Sequence, residues 1–178
     1  GINNTVPLLE YLQMNMYNKV MTTITLPALS NQHYCLQTFK IMPRKQNVHA
    51  TVNAGFLFRI NRDNCVVEER PVIVYGNISN SFTHAYNTES YLTGKSLMKQ
   101  ETLTSALKKL CNEINPEFYP VEASPEYRKK LAVSLFYRYV LSVNPDFVNK
   151  RYRSGYNNLQ RPLSSGKQEY VTNKKEWP

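Results

Sequence analysis

Cysteine is scarce in this 178-residue chain, and what there is cannot be paired off. Cys35, Cys65 and Cys111 are odd in number and widely spaced, with no C-x-x-C, which speaks against a disulfide framework, a zinc site or an iron–sulfur site within the chain. Reduced thiols of a cytoplasmic protein fit that pattern. No apolar run approaches the ~18 residues of a membrane span, and no secretory signal opens the chain. Also missing are G-x-S-x-G, a Walker loop, G-x-G-x-x-G and H-E-x-x-H. His33, His49 and His84 do not pair with acids at ligand spacing, so each reads as a surface or strand histidine. Glu68 and Glu69 are adjacent on an expected strand, so their carboxylates should point to opposite faces and share no acid–base site. No self-contained catalytic constellation and no metal site is expected.

What is present suits one domain, with or without appended pieces of neighbours. Hydrophobic residues make up 42% and aromatics 12%, enough for a core, and the net charge is +9. The excess is spread, with seven Lys/Arg against three Asp/Glu in residues 144–178. Such a spread reads first as solubility, although nucleic acid, anionic lipid or a phosphate-bearing cofactor are the partners it could serve. The run Lys150–Tyr156 interleaves aromatics with basic residues, as single-strand binders do. No RNA-binding aromatic motif accompanies it, so neither nucleic acid nor membrane is an expected partner. The chain begins at Gly1 and stops at Trp177-Pro178, so a piece of something longer is expected.

The clearest pattern is Thr38–Gly76. Val52, Ala54, Phe56, Phe58 and Ile60 alternate with Asn53, Gly55, Leu57 and Arg59, the period of a strand with one buried face. Asn61–Asn64 is a turn cluster, and Val66–Tyr75 is the expected return strand. Further strands are expected at Val20–Leu26, stopped by Pro27, and at His33–Met42. Thr5 should cap a short helix bearing Leu8, Leu9 and Leu12, and Thr83–Leu92 should form a helix ending at Gly94. Glu101–Ile114 carries apolar residues on one helical face. Ser124 should cap a third helix with Pro125 at its first position and a body over Tyr127–Val143. Its first turns are charged (Arg128, Lys129, Lys130), and Leu131–Leu141 is apolar nearly all round. From Asn144 onward an irregular basic arm is expected. Strands first and helices after indicate an α+β fold, an antiparallel sheet with a small helical bundle on one face.

Three stretches resemble the aldehyde oxidase and xanthine dehydrogenase family, the molybdenum hydroxylases. They are T-I-T-L-P followed by F-K-I-M-P-R-K-Q-N, then P-E-Y-R-K-K-L-A-V-S-L-F-Y-R-Y-V-L, then S-S-G-K-Q-E-Y-V-T-N-K-K-E-W-P. The resemblance implies that residues 1–32 are the tail of an FAD-binding domain. Residues 33–143 would be the C-terminal subdomain of that flavin domain, and residues 144–178 a linker toward a molybdopterin domain. It further implies that Met21 and Lys40 touch FAD, Met21 by packing or backbone and Lys40 by meeting a flavin oxygen or holding negative charge. From the residues alone, Met21 reads as core and Lys40 as a surface cation.

The same resemblance assigns the loop with Arg44, Lys45, Asn47 and His49 to the acceptor site beside the flavin. Q-N-V-H-A-T-V-N-A-G is similar to aldehyde oxidases, insect ones in particular, where xanthine dehydrogenases tend to carry an acidic D-D-I-A-K stretch. A basic loop suggests oxygen as electron acceptor; lineage drift in an exposed loop is the alternative. The expected whole is a cytoplasmic, homodimeric aldehyde oxidase whose iron–sulfur clusters and molybdopterin lie in neighbouring domains of the same chain. A xanthine dehydrogenase-like enzyme reducing NAD and a non-catalytic basic assembly module are the alternatives.

Overall fold

In the alternating stretch every second side chain is apolar, and that face finds a cover. The computed structural model describes residues 4–29, 33–44, 48–119 and 123–156. Within it β1 (Tyr34–Ile41), β2 (Val52–Arg59), β3 (Val72–Gly76) and β4 (Thr83–His84) form an antiparallel meander in that order. Val52, Ala54, Phe56 and Phe58 of β2 are buried, while Asn53 between them is exposed. The helices α2 (Tyr86–Leu92), α3 (Gln100–Glu113) and α4 (Pro125–Val143) follow, as the α+β reading requires.

Phe56 is the hub of the core. Its ring lies 5.8 Å from Phe39, 5.7 Å from Tyr75, 5.9 Å from Phe136 and 5.1 Å from Tyr139. Phe136 and Tyr139 come from α4, so the buried face of the sheet is closed by that helix through aromatic edge and tilted contacts. Two phenols add polar ties across the layer. Tyr75 donates to the Ala132 carbonyl at 3.0 Å, and Tyr139 donates to the Cys35 carbonyl at 3.1 Å. Burial pushes both phenols above the ordinary tyrosine value.

The local signals act as expected at α4 and after α2. Ser124 accepts from the Tyr127 amide at 3.2 Å, with Pro125 in the first turn, and Gly94 takes the left-handed φ of +75°. Asn61 and Asn64 each accept a backbone N–H two residues on, which builds the expected turn.

Several expectations are corrected. Val20–Leu26 forms no strand; it is irregular and exposed, because β-branched residues make a ladder only with a partner, and the described residues provide none. Thr5 does not cap α1 (Leu8–Gln13): Pro7 holds that position without a side-chain bond, and Leu8, Leu9 and Leu12 are all exposed. The return strand is confined to Val72–Gly76, with Val66 and Val67 making only isolated bridges. The cause is local: Glu68 and Glu69 both turn to Arg59, Arg70 turns to Glu89, and Pro71 has no N–H to give. The two glutamates therefore meet one guanidinium instead of facing apart.

Thr83–His84 pairs with β3 as β4, so α2 starts only at Tyr86. Arg128 is not a surface charge. It is fully buried, and donates to the carbonyls of Asn77 at 2.7 Å, Ile78 at 3.5 Å, Ala123 at 3.3 Å and Glu117. The described part of the arm is not irregular: it holds 3₁₀ helices at Pro145–Phe147 and Lys150–Gly155, started by the Asn144 and Asn149 side chains. Among the described residues no helix is long and apolar enough to cross a membrane.

Candidate functional site

The outward face of the sheet carries the residues of interest, because strand alternation sends them away from α4. Register brings Lys40 opposite Asn53, and Asn53 opposite Gly76; one step along, Thr38, Gly55, Val74 and His84 form the next row. These rows bound a shallow groove of about 350 Å³, lined by Thr38, Lys40, Asn53, Gly55, Val74, Gly76 and Phe82 among others. Lys40 is exposed at the end of β1 and has no carboxylate within ion-pair distance among the described residues. The groove thus combines one cation, one amide, one hydroxyl and a floor in which Gly55 and Gly76 carry no side chain beside Val74.

The other expected site residues fall differently. Met21 is half exposed on the irregular segment before β1 and takes no part in the groove lining. Arg44 and His49 are exposed on the β1–β2 connection, while Lys45 and Asn47 lie outside the described residues. The base of that connection is secured: Thr51 N–H donates to the Ile41 carbonyl at 2.7 Å, and the Asn77 amide donates to Ala50 and Thr51 carbonyls at 2.7 and 3.0 Å. Asn77 itself has φ of +63°, a conformation Asn tolerates better than most residues.

Sequence reasoning missed Gly76 and Phe82 because they lie on a different strand and its following turn. The outward placement of Asn53 and Gly55, by contrast, was already written in the alternation. On the opposite edge of the sheet, Glu89 is a buried carboxylate. It accepts the Ile73 N–H at 2.9 Å and meets Arg70 at 3.2 Å and His84 at 3.6 Å. His84 in turn stacks on Tyr86 at 5.0 Å. This cluster is closed on itself and fixes the start of α2. A second depression, of about 800 Å³ at the N-terminus of α3, is lined by Lys99, Gln100, Glu101, Thr104 and Ser105 and has no feature besides the helix end. Among the described residues no group of three or more His, Cys, Asp or Glu could hold a metal ion.

Known proteins resemble this chain along most of its length. Xanthine dehydrogenase of Emericella nidulans is 27% identical over 84% of the chain and 11% of its own length. Aldehyde oxidase 3 of Mus musculus is 29% identical over 70% of the chain and 9% of its own. Xanthine dehydrogenase 2 of Arabidopsis thaliana is 28% identical over 92% and 13%. The chain therefore spans about a tenth of the length of these relatives, which bear out the expected resemblance to molybdenum hydroxylases. Among solved structures, the carbon monoxide dehydrogenase from Hydrogenophaga pseudoflava superposes with a TM-score of 0.55 at 18% identity, over 70% of this chain and 40% of that one. The Cu,Mo-CO dehydrogenase superposes with a TM-score of 0.50 at 21% identity, over 60% and 35%. These superpositions bear out the α+β fold. Residues 37–143, more than half of the chain, match the CO dehydrogenase flavoprotein C-terminal domain, and the chain belongs to that family.

Proposed function

We propose that this chain completes the FAD site of a molybdo-flavoenzyme that oxidises aldehydes to carboxylic acids and passes the electrons to oxygen. The observation that carries the flavin part is the groove beside Lys40 in a chain of flavoprotein family. Its residues fit one side of such a cofactor: an ammonium for negative charge, an amide and a hydroxyl for hydrogen bonds, and an apolar floor of Val74 with two glycines. When bound, FAD would supply the transfer of electrons to the final acceptor. Lys40 would hold charge at one edge of the flavin, and Met21 would line it by packing. Arg44, Lys45, Asn47 and His49 would govern which acceptor reaches it, their lack of an acid being the support for oxygen.

In this reading residues 1–32 finish the FAD-binding domain and residues 33–143 form its C-terminal subdomain. Residues 144–178 lead to a molybdopterin domain, and iron–sulfur and molybdopterin groups belong to neighbouring domains of a cytoplasmic homodimer. The chain itself contributes no catalytic residue.

The similarity to two xanthine dehydrogenases supports a second reading, with NAD as acceptor. Steady-state assays of the full-length enzyme with aldehyde and either oxygen or NAD decide between them; efficient NAD reduction overturns the oxidase reading. Lys40→Ala in the same enzyme should weaken flavin retention or slow flavin reoxidation. Unchanged behaviour in both retires its role.

A further inference from the structure

We propose that the outward face of β2 at Asn53 and Gly55 is the platform on which the flavin ring lies flat. In this arrangement Asn53 is its hydrogen-bonding side chain and Phe82 the wall at its far end. The proposal deepens the flavin reading above and rests on it.

Gly55 is the first observation. A glycine in mid-strand weakens the sheet, since it adds backbone freedom to the unfolded chain and nothing to packing. It is usually explained by a positive φ or by a close neighbour. Gly55 has neither among the described residues: its backbone lies outside the left-handed region, and a Cβ built on it meets no described atom within 4 Å. The fold does not ask for glycine there. A planar ligand approaching the backbone does.

Gly76, two strands from Lys40, serves the same floor for a different reason. A Cβ there would press on Asn53 Cβ at 3.3 Å and lie 3.8 Å from Phe82 Cε1. Its absence lets the Asn53 side chain lie across the ladder and lets the Phe82 ring close in. Phe82 is 43% exposed, a large aromatic left at the rim of the groove. Asn53 is exposed, and its amide makes no hydrogen bond to any described residue, so both donor and acceptor are free for a ligand. At strand spacings near 4.8 Å, the floor from β1 to β3 is about 10 Å wide, room for a fused planar ring. Lys40, opposite Asn53 in register, puts positive charge at one end and the aromatic wall stands at the other. An amide beside a cation suits a ring whose edge presents carbonyl and N–H groups and gains negative charge on reduction.

The test uses the full-length enzyme, comparing wild type with Gly55→Leu and Asn53→Ala. Neither change should harm the fold, because the first fills open space and the second removes an unbonded exposed side chain. The measurements are the flavin-to-protein ratio of the purified enzyme, the affinity of the deflavinated protein for FAD, and circular dichroism of each variant. We expect FAD affinity to fall at least tenfold in Gly55→Leu and about three- to tenfold in Asn53→Ala, with unchanged dichroism. Wild-type flavin content and affinity in both variants overturn the platform while leaving the flavin reading intact, and would mean that a protein segment covers this face. If Gly55→Leu misfolds, Asn53→Ala decides alone. A wild-type enzyme without flavin removes the flavin reading and the platform together.

Discussion

The side-chain amide of Asn77 donates to the Thr51 carbonyl at 3.0 Å and to the neighbouring Ala50 carbonyl at 2.7 Å. One residue after β3 thus holds the base of the β1–β2 connection, while its own carbonyl receives Arg128 from α4 at 2.7 Å. Helix, sheet end and loop base are joined through a single residue. Asn77→Ala should cost about 2–3 kcal/mol, from two lost bonds and an unfavourable φ; Asn77→Gly should recover the backbone part, roughly 1 kcal/mol. Urea unfolding of the two variants separates the terms. Equal losses would show that the left-handed conformation contributes little.

Arg128 has a different kind of leverage. Burial pulls the guanidinium below its usual value, yet four backbone carbonyls surround it. Arg128→Met should destabilise the chain by about 3–5 kcal/mol, because buried carbonyls lose their donors. Arg128→Lys should recover only part, since an ammonium cannot reproduce the planar fork. Chemical denaturation of both variants checks the order. A lysine variant as stable as the parent would refute the need for the guanidinium fork.

Helix α2 begins without a cap of its own. Ala85 offers no side-chain acceptor, and the Asn87 and Thr88 amides donate instead to the Glu113 carboxylate at 2.6 and 2.8 Å, from the last turn of α3. Glu113→Ala should therefore cost about 1–2 kcal/mol, the size of a lost N-cap, although it lies at the far end of another helix. Hydrogen exchange is the discriminating measurement: the amides of residues 87 and 88 should lose protection before those of α3. Uniform loss across α3 would instead indicate damage to its own last turn.

Stability should fall at alkaline pH. Tyr75 and Tyr139 are neutral when buried, with folded values raised by desolvation above the unfolded value near 10. Their contribution is fully present below pH ~10 and is lost as pH rises above that toward the folded values, because only the unfolded chain releases the protons. Urea midpoints should therefore drop between pH 9 and 11. A double Tyr75→Phe, Tyr139→Phe variant, weaker at pH 7 by about 1 kcal/mol per lost hydrogen bond, should show a shallower drop. An equally steep drop would place the alkaline sensitivity elsewhere.

Much of the fold was readable before any coordinates. The alternation from Val52 to Ile60 identified the buried face of β2, and the apolar spacing of Glu101–Ile114 and the Ser124-Pro125 start located α3 and α4 to within a residue or two. These signals are local: a strand or helix period reports a face, and a cap reports an end. Val20–Leu26 shows the limit of such signals. Its β-branched pattern is real, but a ladder needs a second strand, and no local pattern supplies one. Glu68 and Glu69 show it again, since their convergence on Arg59 depends on where β2 runs beside them.

Composition, periodicity and motif order by themselves determined the α+β class, the buried face of the hairpin, the starts of α3 and α4 and the molybdenum hydroxylase resemblance. Each of these is settled within a few turns or residues of chain. Only the tertiary structure decided that Arg128 is buried, that Glu113 caps a distant helix, and that Lys40, Asn53, Gly55, Gly76 and Phe82 surround one groove. Those relationships include pairs 13 to 51 positions apart, and they exist because antiparallel register and the seating of α4 on the sheet bring distant backbone together.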